Sequence, residues 1–168
     1  MIEVSDNFLE EDIFKDLERR FCSDHVEWHF NPNVVFPWDE DTLDNFQFTN
    51  SLYKHGSPQN EHYNAILPIF DKLEVQFPLR AKLNLQTRTT EIVKRSFHAD
   101  MKDVLSDEFP YKTAILYFNT NNGYTEFESG EIVESVANRC LRFDGNQMHR
   151  GTTCTDQKTR VVLNINYI

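Results

Sequence analysis

Two histidines and one acid fall in an order that can hold a divalent metal ion. His98-Ala99-Asp100 places an imidazole and a carboxylate two residues apart. In an extended segment those positions point to the same face, so both can occupy neighbouring sites on one ion. His149 follows 49 residues later, directly after the turn former Asp144-Gly145-Asn146. Two imidazoles and one carboxylate on one side of an ion such as Fe(II) leave the opposite positions open for exchangeable ligands. Arg160 comes 11 residues after His149 and opens the last extended run. There Arg160, Val162, Asn164 and Asn166 share one face, while Val161, Leu163, Ile165 and Tyr167 take the other. A guanidinium fork on that face suits a carboxylate.

Each piece alone is a weak signal. A second triplet, His25-Val26-Glu27, lies in the acidic N-terminal part and is read as surface. His29, His55 and His62 are read as surface or half-buried residues. A lone His149 is equally a satisfied turn histidine, and a lone Arg160 a strand-edge charge. The ordered set, with extended segments between its members, carries the reading.

The elements that must position these residues change character near Pro78. Before it, Ile13, Phe14, Leu17 and Phe21 recur at helical spacing behind Glu10, Glu11 and Asp12. Tyr63, Ile66, Leu67, Phe70 and Leu73 form a second helical pattern, with Pro68 bending or restarting it. Residues 22–60 hold turn formers and aromatics without a sustained period. Trp28, Phe36 and Trp38 in this loop read as packing or as a substrate lid. After Pro78 come short alternating runs: Ala81, Leu83 and Leu85, then Ala114, Leu116 and Phe118, then the run to Tyr167. The turn signals Thr120-Asn121-Asn122-Gly123, Ser129-Gly130 and Asp144-Gly145-Asn146 separate such runs, so the class is mainly β, a sandwich or barrel. The organisation expected is one domain over residues 1–168, with helical support in 1–79 and the β-core in 80–168.

The chain of 168 residues is 39% hydrophobic with 14 Phe, which supplies a core and excludes a disordered tail. No apolar run reaches the ~20 residues of a bilayer span, and the first residues do not read as a secretion signal. Cys22, Cys140 and Cys154 are odd in number and far apart, against a disulfide framework or structural zinc site. A soluble, cytoplasmic protein is expected. Its formal charge is −10, and residues 1–50 alone hold 13 acids against 3 bases. That balance disfavours nucleic acid as a partner, because phosphate binding needs a basic footprint. Arg80, Lys82, Arg88, Lys94 and Arg95 lie close together and are read as a solvated strand edge.

The sequence resembles the 2-oxoglutarate and Fe(II)-dependent oxygenases, in their prolyl-4-hydroxylase-like branch, over about residues 80–168. The motifs that carry the resemblance are His98-Ala99-Asp100, Ile115-Leu116-Tyr117-Phe118-Asn119, Gly123-Tyr124-Thr125-Glu126-Phe127, Arg142-Phe143-Asp144-Gly145, His149-Arg150-Gly151 and Arg160 through Tyr167. The resemblance implies a double-stranded β-helix, the cupin-like jelly roll, with N-terminal helices packed outside. It implies His98, Asp100 and His149 as Fe(II) ligands and Arg160 as the clamp for the distal carboxylate of 2-oxoglutarate. Tyr117 matches the tyrosine that assists that carboxylate, and Thr125 a position lining the cosubstrate. Family members often carry a further tyrosine on the strand before His-x-Asp. Here that strand reads Ala81-Lys82-Leu83-Asn84-Leu85-Gln86, and Asn84 is the substitute. The implied activity consumes dioxygen and 2-oxoglutarate, releases succinate and CO2, and hydroxylates a C–H bond, with ascorbate as a possible reductant. The substrate suggested by this branch is a peptidyl proline; a small metabolite is the other class. Two alternatives stay open: a cupin-like metal-binding or interaction domain without turnover, and an oxygenase acting on nucleic acid. The first has no need of Arg160, and the second needs the cluster from Arg80 to Arg95 around the pocket.

Overall fold

The computed structural model describes residues 1–34, 44–102 and 109–168. Phe36 and Trp38 lie outside them. Helix α1 (Glu11–Phe21) forms where Phe14, Leu17 and Phe21 fall on one buried face, with Glu11 and Asp12 in its first turn and Arg19 and Arg20 in its last. A 3-10 turn (Glu61–Ile66) capped by Asn60 runs into α2 (Leu67–Leu73), where Pro68 sits in the first turn and restarts the helix.

The strands are β1 (Glu3–Ser5), β2 (His29–Asn31), β3 (Gln47–Lys54), β4 (Ser57–Pro58), β5 (Pro78–Thr87), β6 (Lys112–Tyr117), β7 (Tyr124–Phe127), β8 (Ile132–Glu134), β9 (Cys140–Asp144), β10 (His149–Gly151) and β11 (Thr159–Tyr167). The major sheet runs β1-β9-β6-β11-β5-β3-β2, with β4 paired to β3; the minor sheet runs β10-β7-β8. All the pairings are antiparallel. This is a jelly roll, as expected.

One expectation is corrected. Residues 1–79 supply strands as well as helices, and β3 is an eight-residue member of the major sheet next to β5. Its buried positions include Gln47 on the inner face and Asn50 on the outer face, opposite Leu83, so no apolar alternation marks it as a strand in the sequence.

The outer face of the major sheet carries the helices. Leu83, Leu116, Leu163 and Ile165 pack there with Phe14, Phe21 and Ile69. The Phe118 ring meets Phe14 at 6.3 Å and Phe21 at 5.2 Å between centroids, which seats α1. The inner face is smaller and more polar. Ile115, Tyr117, Val162, Leu141 and Phe143 pack with Phe127 and Val133 of the minor sheet. The remaining inner positions of β5 and β11 are Arg80, Lys82, Asn84 and Gln86 opposite Asn166, Asn164, Val162 and Arg160. A polar ladder on an inner face needs partners, and those partners form the site.

Candidate functional site

His98, Asp100 and His149 converge at one end of the inner face, and their ligand atoms lie within 4.8 Å of one another. Backbone hydrogen bonds join His98 and His149 in both directions, at 2.9 and 3.0 Å, although the two are 51 positions apart in the chain. Each ring is fixed from behind. His98 Nδ1 lies 3.2 Å from Ser96 O, and His149 Nδ1 lies 3.0 Å from Gln147 O. A carbonyl at Nδ1 selects the tautomer that leaves Nε2 as a lone-pair donor. Those Nε2 atoms face Asp100, at 3.7 Å from Oδ1 for His98 and 3.9 Å from Oδ2 for His149. Burial, and then the neighbouring His149, push His98 down to about 4, so it is neutral at physiological pH.

Asp100 is caged by three donors. Arg80 lies 3.0 Å from Oδ1, while Asn164 and Asn166 donate to Oδ2 at 2.8 and 3.0 Å. Burial alone pushes this carboxyl up, but Arg80 and the two histidines pull it net well below the usual carboxylate range. A carboxylate offers about four acceptor sites, so the cage leaves room for one further partner. Tyr111 ties the surrounding loops together. Its hydroxyl donates to Gly145 O at 2.6 Å and accepts from Met101 N at 3.2 Å, and any Cβ at Gly145 would overlap the Tyr111 ring.

At the other end of the ladder Arg160 is buried, donating from Nε to Ser135 Oγ at 2.8 Å and from Nη2 to Thr125 Oγ1 at 3.2 Å. Tyr117 also donates to Thr125 Oγ1, at 2.8 Å, which leaves the Thr125 proton for another acceptor. The Arg160 guanidinium lies 5.5 Å from the Tyr117 ring centre. Among the described residues no carboxylate lies within ion-pair reach of it. Gly123 makes this packing possible, because a Cβ there would come within 2.8 Å of Arg160 Cδ and 2.7 Å of Thr153 O.

One cavity connects the two ends, lined by His98, Asp100, His149, Thr125, Asn84 and Arg160. Of the seven expected site residues, Tyr117 alone does not line it and acts through Thr125. Asn84 presents a buried Oδ1 without a hydrogen-bond partner. Arg80, Asn164, Asn166, Ser135 and Tyr111 were not anticipated. The signal for the two asparagines was their shared face with Arg160.

The basic cluster is not a solvated strand edge, because β5 is paired on both sides, with β3 and β11. Arg80 holds Asp100, and Lys82 lines the cavity. Lys94 is exposed but pairs with Glu126 at 3.1 Å, Arg95 is buried, and Arg88 is exposed. Burial, and then Arg80, lower Lys82 to about 8, which leaves it cationic at neutral pH. His62 is buried against Phe21 rather than at the surface, whereas His25 and Glu27 are exposed as read. The three cysteines are free. Among the described residues no helix is long and apolar enough to cross a membrane.

No family model matches the chain, and no curated protein matches it. Solved structures do. A 2OG-Fe(II) oxygenase family oxidoreductase from Burkholderia pseudomallei superposes at a TM-score of 0.67 with 9% identity, covering 99% of this chain and 84% of that one. A prolyl-4-hydroxylase from Pseudomonas putida gives 0.66 with 16% identity, at 99% and 91% coverage. The viral collagen prolyl hydroxylase of Paramecium Bursaria Chlorella virus-1 gives 0.62 with 11% identity, at 99% and 96%. Identities this low speak for architecture alone. The chain has the jelly-roll fold of the 2-oxoglutarate- and Fe(II)-dependent oxygenases, prolyl hydroxylases among them.

Proposed function

We propose that this protein is an Fe(II)- and 2-oxoglutarate-dependent dioxygenase that hydroxylates a C–H bond. The observation that carries the reading is the pairing of two unmet needs in one cavity. His98, Asp100 and His149 present convergent donors, and beyond them Arg160 is a buried cation with no carboxylate among the described residues. A metal ion answers the first and the far carboxylate of 2-oxoglutarate the second. When bound, Fe(II) with 2-oxoglutarate and dioxygen supplies the oxidising power, releasing succinate and CO2.

The residues of the chain bind, orient and shield. The Ser96 and Gln147 carbonyls hold the imidazole tautomers, and the Asn164–Asn166–Arg80 cage keeps Asp100 ionised and fixed. Arg160, with the Thr125 proton that Tyr117 and Arg160 leave over, receives the cosubstrate carboxylate. A metal-binding jelly roll without turnover leaves Arg160 unexplained. An oxygenase on nucleic acid lacks support, since Lys94 is paired, Arg95 buried, and Arg80 and Lys82 turned inward. Because the matched structures include prolyl hydroxylases, a prolyl ring is the first substrate to try.

The test is an anaerobic titration of the Fe(II)-loaded protein with 2-oxoglutarate, followed by visible absorption. A charge-transfer band absent from His149→Ala supports cosubstrate chelation at these residues. Iron binding without a band moves the metal-binding-domain reading ahead, and absence of iron binding removes the three ligands from consideration.

A further inference from the structure

Lys82 is the charge on the inner face that the reading above does not use. It lines the cavity with the three candidate ligands, yet no hydrogen bond or ion pair joins its ammonium to a described residue. Asp100 lies near enough to favour its charge but does not pair with it, because Arg80, two positions back on the same face, takes Asp100 Oδ1. The cosubstrate clamp does not involve it either. Arg160 stands opposite Gln86, four residues further along β5, roughly 13 Å away at ~3.3 Å per residue. Apart from Arg160, no other Lys or Arg lines this cavity. Directly across from Lys82 in the β5–β11 register is Asn164, whose Nδ2 is committed to Asp100 and whose buried Oδ1 has no partner. A free cation and an orphaned acceptor therefore sit side by side next to the candidate metal ligands. Paired positions on one sheet face place their Cβ atoms about 5 Å apart.

Resting on the oxygenase reading, we propose that Lys82 and Asn164 form the substrate anchor, and that the substrate carries a free carboxylate beside a hydrogen-bond donor, as an α-amino acid does. Lys82 binds the carboxylate, and Asn164 Oδ1 accepts from the adjacent N–H. A residue inside a peptide chain has no such carboxylate and leaves the ammonium unpaired in a half-buried place, which is costly. The same pair of groups ends any polypeptide whose last residue is not proline, so a free amino acid and such a C-terminal residue share this chemistry.

The test uses the Fe(II)·2-oxoglutarate charge-transfer band of the full chain under anaerobic conditions. Added probes are the free L-amino acids, L-prolinamide and the other amino acid carboxamides, and Ala-Pro-Ala with a free or an amidated C-terminus. The expected result is a band shift with one of the free-carboxylate probes. Its carboxamide binds about thirtyfold more weakly, the factor for one lost charge-assisted hydrogen bond. Lys82→Gln weakens the same probe by about as much, whereas Lys82→Arg retains most of the binding. A shift given by a free amino acid or by the free tripeptide alone distinguishes the two sources, and either supports the proposal. Equal response to acids and amides overturns it, as does a band indifferent to all probes. A rise of about tenfold or more in the 2-oxoglutarate midpoint of Lys82→Gln also overturns it, by placing Lys82 on the cosubstrate. Failure of the band to form at all refutes the oxygenase reading itself, and the proposal with it. The carboxamide comparison needs only the wild-type chain, so it decides even where a variant does not fold.

Discussion

Arg160→Leu separates what the guanidinium does for the ligand from what it does for the fold. In the ligand-free protein the group is a buried cation held by two neutral hydroxyls, Ser135 at 2.8 Å and Thr125 at 3.2 Å. Burial lowers its proton affinity, which is another way of saying that the charge is poorly compensated. The remaining N–H groups can make a bidentate pair with a carboxylate, at about 1.5–3 kcal/mol for each charge-assisted bond. Losing both costs about 3–6 kcal/mol, so the Kd for 2-oxoglutarate should rise by about 10²–10⁴-fold. The fold should respond in the opposite direction. Removing an uncompensated buried charge relieves several kcal/mol, against about 1 kcal/mol for each hydroxyl left without its donor. A net gain of about 1–2 kcal/mol raises Tm by roughly 2–8 °C in a chain of this size. The assays are calorimetric titration with 2-oxoglutarate of the Fe(II) protein kept anaerobic, and thermal unfolding of the apo protein. A midpoint that moves less than about threefold would refute the clamp. A large loss of both binding and Tm would show that Arg160 acts through the fold.

Three further outcomes follow from the same geometry. Arg80→Met leaves Asp100 as a buried carboxylate with two amide donors, so apo stability should fall by about 3–5 kcal/mol, and saturating Mn(II) should restore much of it in thermal melts. His98 is held near 4 when folded against an ordinary 6.5, so between those values the unfolded chain binds more protons. Apo stability should then decline by about 3 kcal/mol as pH falls from 6.5 to 4, and His98→Gln should flatten that part of a urea-midpoint profile. Gly123→Ala should lower stability by about 1–3 kcal/mol and weaken 2-oxoglutarate binding together, since its methyl group meets Thr153 O and Arg160 Cδ. Weaker binding without any loss of stability would show that the backbone moves instead.

The site was legible where chemistry and strand periodicity coincide. His98 and Asp100 share a face by their spacing alone, and Arg160, Asn164 and Asn166 share another by alternation. What the two asparagines hold was not legible, because Asp100 lies more than 60 residues away and only the sheet register brings them together. The same limit misplaced Arg80 and Lys82. Charged residues alternating with Ala81, Leu83 and Leu85 describe an exposed face equally well, and the sequence does not reveal that β3 and β11 flank β5. β3 itself was hidden by its composition, since the polar Gln47 and Asn50 take buried positions, one on each face, that apolar residues usually mark. The helices, whose apolar period is local, emerged where expected.

The short strand β1 covers the outer edge of β9 through Glu3–Arg142, Val4–Leu141 and Ser5–Cys140, with Asp6 and Arg139 locking its end. Without it, β9 would present a row of unpaired amides and carbonyls beside Leu141 and Phe143, which is a template for another strand. Residues far from any chemistry thus guard the sheet against edge-to-edge polymerisation. Trimming the first six residues should make the protein self-associate with rising concentration more strongly than the full chain does, as sedimentation would show.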